Sequence, residues 1–299
     1  MTKPRIAFFG LGAMGLHMAR KLQSADYDVH GFDIRPEAVE ALHEGQEKSR
    51  CAKSAREAAQ GANVIVLMTV SHFQAHSILF TDGALDSLAQ GADILLMATC
   101  SKQACADLAT QVAERRPDVG FVDAPVSGGT EGAMTGGLTI MAAAQDDVFG
   151  RVEPVLRIMG SKLYHVGKQV GQGSAMKAVN QVLCGIHLAA AAEALALAAA
   201  SGIDPEVALP IVQNSAASSW MLQQRAPRML QKEDPEVKSA VNLFLKDLDI
   251  VSQTGKQVGA ALPLSVAALQ MFVSAAARGD GAKDDSRVIK SYWAMNGQL

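Results

Sequence analysis

The run Arg5-Ile6-Ala7-Phe8-Phe9 leads directly into Gly10-Leu11-Gly12-Ala13-Met14-Gly15, and a helical stretch follows. An apolar run that ends in G-x-G-x-x-G and opens a helix is a dinucleotide-binding fingerprint when an acid ends the next strand, about 20 residues on. Asp33 stands in that place, closing the apolar run that begins at Val29. The spacing assigns Gly10 to the tight turn, Gly12 to the close approach of backbone and pyrophosphate, and Gly15 to the packing of helix on strand. Leu11, Ala13 and Met14 complete the loop, whose N–H groups and helix dipole face the phosphates. A carboxylate at Asp33 accepts from a ribose 2′-hydroxyl and repels a 2′-phosphate, which favours NAD as cofactor. Arg35, two residues later, is the feature that keeps NADP as the lesser candidate. Taken alone, the loop also reads as a glycine-rich turn that binds nothing.

Outward from this stretch, short apolar runs alternate with helical segments. Strands are predicted at Ile6–Phe9, Val29–Asp33, Val64–Met68, Ile94–Met97, Phe121–Asp123, Leu138–Ala142 and Leu163–Val166. Alternation of this kind predicts an α/β fold with a mostly parallel sheet covered on both faces. After Val166 the pattern becomes helical throughout, beginning with one long helix from Ser174 to Ser201. Asp204-Pro205 reads as an N-cap with proline at the first helical position, and Pro210 predicts a kink or break. A further helix is expected over Val237–Val258. The predicted organisation is a Rossmann-type NAD-binding domain over 1–166 and an all-helical domain for substrate and oligomer contacts over 167–299, joined by the long interdomain helix.

Composition narrows the partners. The chain has 299 residues, is 49% hydrophobic and 19% charged, and carries a net charge of −3. Such a balance supports large cores and offers no electrostatic case for nucleic acid or an anionic membrane. Cys51, Cys100, Cys105 and Cys184 form neither a C-x-x-C pair nor a zinc spacing, so free thiols in a reducing compartment are expected. His72 and His76 lack the glutamate of H-E-x-x-H and read as surface residues, and no metal is predicted. The start M-T-K-P-R has no signal-type apolar core. The stretch Ala189–Ile203 is apolar but carries Glu193, so a cytoplasmic protein without a membrane span is expected.

Three further segments carry chemistry. Asp123-Ala124-Pro125-Val126-Ser127-Gly128-Gly129 ends a strand, where ligands of open α/β sheets bind. Ser127 with the N–H groups of Gly128 and Gly129 would cradle a carboxylate, or form an ordinary turn. In Gly171-Gln172-Gly173-Ser174-Ala175-Met176-Lys177-Ala178-Val179-Asn180, Lys177 and Asn180 share a helix face. A lysine beside a reacting alcohol can take its proton where burial favours the neutral amine. The bland alternative, a solvated helix lysine, sits poorly with the apolar Met176, Ala178, Val179 and Val182 around it. The third segment is Phe244-Leu245-Lys246-Asp247-Leu248, in which Lys246 and Asp247 lie off the apolar stripe.

In this order, G-L-G-A-M-G-L-H-M-A-R-K-L, D-A-P-V-S-G-G, G-x-G-x-x-x-K-x-x-N and F-L-K-D-L resemble the β-hydroxyacid dehydrogenase family over nearly the whole chain. Residues 180–194, 218–225 and 284–290 most resemble its L-threonate dehydrogenase branch. The resemblance implies Lys177 as general base or acid and Asn180 as the residue that holds it and the substrate. It implies Ser127, Gly128 and Gly129 as ligands of the substrate carboxylate, Thr99 near the nicotinamide, and Lys246 as a cofactor contact from the helical domain. Ala98 and Ser71 depart from the family's usual Ser and Asn on the nicotinamide side. The implied activity is oxidation of a small hydroxy acid by NAD, with L-threonate or a related four-carbon sugar acid as lead. 3-Hydroxyisobutyrate dehydrogenase and tartronate semialdehyde reductase are the alternatives, and a catalytically idle redox sensor is the non-enzymatic rival. The family also implies a homodimer or homotetramer, which the alanine-rich second half of the long helix would allow. Trp220, Arg225, Asp284 and Asp285 are candidates to line or support the pocket.

Overall fold

The computed structural model describes residues 3–44 and 50–298. Two compact units divide the chain, Met1–Lys177 and Ala178–Leu299. The boundary lies inside the long helix, later than the sequence division at 166/167, because the start of that helix is hydrogen-bonded to the sheet of the first unit.

In the first unit the chain runs β1 (Ile6–Phe9), α1 (Gly15–Ser24), β2 (Val29–Phe32), α2 (Pro36–His43), β3 (Arg50–Cys51), α3 (Ala55–Ala59) and β4 (Val64–Leu67). It continues through α4 (His72–His76), α5 (Ala84–Ser87), β5 (Asp93–Leu96), α6 (Lys102–Arg115), β6 (Gly120–Asp123), β7 (Val126–Ser127) and α7 (Gly129–Thr135). It ends with β8 (Thr139–Ala143), α8 (Asp146–Met159), β9 (Lys162–Gly167) and the first turns of α9 (Gln172–Ala200). The sheet order is β3-β2-β1-β4-β5-β6-β8-β7, with β9 beside β8. The strands from β3 to β6 are parallel; β8 runs antiparallel to β6 and β7 and parallel to β9.

The central strands read as unbroken apolar runs because helices cover both faces. Alternate residues therefore enter two different cores. Phe8, Val66, Leu95 and Val122 pack with Met18 and Leu22 on one side. Phe9, Ile65, Leu67, Ile94 and Leu96 pack on the other with the alanines of α3 and Leu108 of α6. The strand order reverses between β1 and β4, so the ligand crevice of this topology opens at their carboxyl ends.

The second unit holds the rest of α9, then α10 (Pro205–Gln213), α11 (Trp220–Met229), α12 (Val241–Val258), α13 (Pro263–Ala275) and α14 (Ile289–Met295). Leu188, Ala192 and Leu195 of α9 pack with Met221, Leu222, Phe244, Leu248 and Phe272 in its core. A Cβ at Gly185 would lie 2.6 Å from Leu248, so the absence of a side chain there lets α12 approach α9. By length and composition α9 would also pass as a membrane span, but its Leu188, Ala192 and Leu195 are buried in the core of the second unit.

Several expectations change. Asp204 caps α10 and Pro205 opens it, but Pro210 stays inside the helix. The break comes later, at residues 214–219, where the Asn214 amide turns back onto the Pro210 carbonyl and Ser219 caps the next helix. Helix α12 begins at Val241 rather than Val237. The intervening backbone is used elsewhere: Lys238 N–H donates to Asp284, and Asp285 N–H donates to the Ser239 carbonyl. The short elements β3, β7, α5 and α7 were not expected, since two to seven residues carry too little periodicity to show. Among the cysteines, Cys100, Cys105 and Cys184 form no disulfide; the side chain of Cys51 lies outside the described residues.

Candidate active site

The glycine loop occupies the switch point. Gly10 has φ +89°, and a Cβ on it would strike the Met68 carbonyl after β4. A Cβ on Gly15 would strike the Gly10 carbonyl, as the packing role requires. Gly12 differs: a Cβ there would meet nothing nearer than the Arg35 guanidinium at 3.9 Å. At Gly12 neither a left-handed backbone nor packing against the protein calls for glycine, and the space left open at the loop gives a ligand room to approach the backbone. Leu11 is buried, Ala13 exposed and Met14 half-buried.

Asp33 follows β2. Its Oδ2 accepts the Leu11 N–H at 2.8 Å, while Oδ1 accepts the Arg35 N–H at 2.9 Å and Arg35 Nε at 3.2 Å. Burial alone would raise its pKa, but these donors outweigh burial and hold the carboxyl below its usual range. It is therefore an ionised acceptor that also anchors the loop.

Along the same carboxyl edge, half-buried Thr99 lies just beyond β5. Ser127 ends β7, and Gly128 and Gly129 follow with φ of +133° and +62°. Lys177 lies on α9, 7% exposed. Two contacts bring its helix to this edge. Asp123, the last residue of β6, accepts hydrogen bonds from Gly171 N–H, Ser174 N–H and Ser174 Oγ. Cys100, next to Thr99, lies with its Sγ 3.6 Å from Ser174 Oγ.

In the second unit, Asn180 follows Lys177 on the same helix. Its Nδ2 donates to Gln181 Oε1 at 2.9 Å and to Cys184 Sγ at 3.3 Å. Gln181 Nε2 donates to Asp247 Oδ2 at 2.6 Å, and Lys246 Nζ lies 3.0 Å from Asp247 Oδ1. Asn180 and Lys246 are thus members of one polar chain. Trp220, Arg225, Asp284 and Asp285 have a different setting. Arg225 pairs with Asp285 at 3.2 Å, and Arg228 pairs with both Asp284 and Asp285. Both carboxylates are fully buried, and the Trp220 ring covers Arg225. This is an internal ion-pair network. Among the described residues, no group of His, Cys, Asp and Glu could hold a metal ion.

Residues 5–167 match the NAD-binding domain of 6-phosphogluconate dehydrogenase, and residues 171–292 match the NAD-binding domain of NADP-dependent 3-hydroxyisobutyrate dehydrogenase. The chain belongs to the β-hydroxyacid dehydrogenase family. As a member it is an NAD(P)-dependent oxidoreductase acting on the CH–OH group of a hydroxy acid. The L-threonate dehydrogenase of Cupriavidus necator is 37% identical over 96% of this chain and 95% of its own. The 2-(hydroxymethyl)glutarate dehydrogenase of Eubacterium barkeri is 34% identical over 98% of this chain and 96% of its own. The crystal structure of a 3-hydroxyisobutyrate dehydrogenase from Salmonella typhimurium superposes with a TM-score of 0.88 at 36% identity, covering 96% and 99% of the two chains.

For a β-hydroxyacid dehydrogenase, the residues sequence reasoning passed over are those that hold the named ones. Asp123 opens D-A-P-V-S-G-G, where the sequence alone gives it no role, although an acid closing a buried strand needs donors from elsewhere. Gln181 and Arg228 gave no signal, because their partners lie 66 and 56 residues away in sequence.

Proposed function

We propose that this β-hydroxyacid dehydrogenase oxidises L-threonate, or a closely related four-carbon sugar acid, at C2, with NAD as cofactor and Lys177 as general base. The observation that carries the reading is the setting of Lys177: a buried lysine on a helix whose first turn is bonded to the strand end that leads into Ser127-Gly128-Gly129. Ser127 and the N–H groups of Gly128 and Gly129 hold the substrate carboxylate. The Lys177 amine accepts the hydroxyl proton as the carbonyl forms, and Asn180 orients substrate and base. Gly10, Leu11, Gly12, Ala13, Met14 and Gly15 cradle the pyrophosphate, with Thr99 and Lys246 as further cofactor contacts. When bound, NAD supplies the acceptor for the hydrogen and electron pair that leave the carbinol carbon.

NAD is preferred over NADP because Asp33, kept ionised by its donors, meets the ribose 2′-position with an anion. Arg35 already pairs with that anion. The L-threonate dehydrogenase relatives support the substrate, and the structural likeness to a 3-hydroxyisobutyrate dehydrogenase supports 3-hydroxyisobutyrate as the second reading. We further propose a cytoplasmic homodimer or homotetramer, supported by the exposed apolar Val179, Leu183 and Leu197 of α9.

The test is a panel of C3–C5 hydroxy acids with NAD and with NADP, comparing kcat/KM, beside the Lys177→Ala variant. L-Threonate with NAD should lead the panel. Lys177→Ala should bind NAD and lose about 10²–10⁴-fold in turnover. Preference for 3-hydroxyisobutyrate over every four-carbon sugar acid would overturn the substrate, and near-normal turnover without Lys177 would overturn the base.

A further inference from the structure

We infer that Asp123 is a positioning residue for Lys177, acting as a cap supplied by β6 to the helix that carries the base; this rests on the reading of Lys177 given above. All the contacts lie within the first unit. Oδ2 of Asp123 accepts the N–H of Gly171 at 2.9 Å and that of Ser174 at 2.7 Å. Oδ1 accepts the Ser174 hydroxyl at 2.8 Å. The first N–H groups of a helix have no partner within it, and a cap normally comes from the residue just before the helix. Here it comes from a strand end 51 residues earlier in the chain.

The carboxylate is fully buried, and burial pushes its pKa up despite these donors. A neutral cap would avoid that penalty. What a carboxylate offers is acceptors alone, matched to donors alone, and so a single seating of the helix. Gly173 completes the seating: a Cβ there would lie 2.5 Å from the carbonyl oxygens of both Asp123 and Met141, so the helix rests directly on strand backbone.

The consequence reaches the chemistry by two short routes. Lys177 follows Ser174 by three residues and so shares its helix face. In the other direction Asp123 opens the segment that ends in Ser127, Gly128 and Gly129. One side chain therefore sets the distance between the proposed base and the proposed carboxylate cradle. Misplacement of a reacting group by about 1 Å costs on the order of 10²-fold in rate.

The test is a double-mutant cycle of Asp123→Asn and Lys177→Ala, assayed with NAD and L-threonate, or with 3-hydroxyisobutyrate if that is turned over faster. Asparagine keeps the shape but turns an N–H₂ toward donors. Asp123→Asn should lower kcat by about 10–100-fold while KM and the NADH dissociation constant stay within about twofold. In the Lys177→Ala background the same change should cost nothing further, because residues acting through one another are non-additive. Ser174→Ala, which removes one of the bonds, should show a smaller loss that Ser174→Thr restores, and it carries the same cycle if Asp123→Asn does not fold. Equal losses in both backgrounds, or a folded Asp123→Asn with normal kcat, would overturn the inference while leaving Lys177 in place. Normal turnover of Lys177→Ala alone would instead remove the base reading.

Discussion

Leu11 donates its backbone N–H to Asp33 Oδ2 at 2.8 Å, which ties the glycine loop after β1 to the end of β2. The acid proposed to meet the ribose therefore also shapes the loop proposed to meet the pyrophosphate. Asp33→Asn keeps the volume and removes the charge. Loss of a charge-assisted hydrogen bond is worth about 1.5–3 kcal/mol, or roughly 10–100-fold in affinity. NADH fluorescence titration should show a loss of that size, with the preference for NAD over NADP reduced as well. An unchanged dissociation constant would remove Asp33 from the cofactor site.

Gly12 and Gly15 look alike in the sequence motif and should fail differently. Gly15→Ala places a methyl on the Gly10 carbonyl, so strand and helix must part and the first unit should fold poorly or not at all. Gly12→Ala meets no protein atom closer than 3.9 Å and should fold with a near-normal melting temperature. Its methyl would instead occupy the proposed pyrophosphate approach and weaken NADH binding. Calorimetry beside binding separates the two; a Gly12→Ala protein that binds NADH normally would place the pyrophosphate elsewhere.

This difference also marks what was legible in the sequence. The glycine loop, the parallel strands and the long helix were readable because their signals are local: a fixed spacing, an apolar run, a helical period. The burial of Lys177 was readable because an apolar helix leaves a lysine little solvent face. Asp123, Gln181 and Arg228 were not, because their partners come from distant segments that only the folded chain brings together. No break falls at Pro210, for a related reason. A proline removes one backbone bond, and the α10 helix tolerates that loss until Asn214 ends it.

Asp234 predicts a pH dependence of stability. Lys283 and Lys290 lie 3.0 Å from its carboxylate oxygens, and their hydrogen bonds lower its pKa to about 2 from an ordinary 3.8. A folded-state pKa below the unfolded one gives stability that is present above the unfolded value and lost as pH falls toward the folded one. The window is thus from about pH 4 down to about 2. The site is largely solvated, so screening keeps the effect small, on the order of 1–2 °C in Tm. Asp234→Asn should lower Tm slightly at pH 7, match the native protein near pH 2, and show less salt dependence. Parallel Tm curves for the two proteins across this window would contradict the assignment.

Arg228 carries the largest electrostatic prediction. It is the partner shared by two adjacent, fully buried carboxylates, with Nε 3.0 Å from Asp284 and a terminal nitrogen 3.1 Å from Asp285. Burial raises the pKa of Asp285 even with Arg225 and Arg228 beside it, so its charge is costly already. Removing one partner of a buried ion pair typically costs about 3–5 kcal/mol, because the other charge is left uncompensated. Arg228→Ala should destabilise the helical unit by that amount in urea unfolding followed by tryptophan fluorescence. Arg225→Ala should cost less, since Asp285 keeps Arg228. If uncompensated charge is the cause, adding Asp285→Asn to Arg228→Ala should recover part of the loss. If the double variant is instead less stable than Arg228→Ala alone, the destabilisation comes from lost packing around the guanidinium rather than from stranded charge.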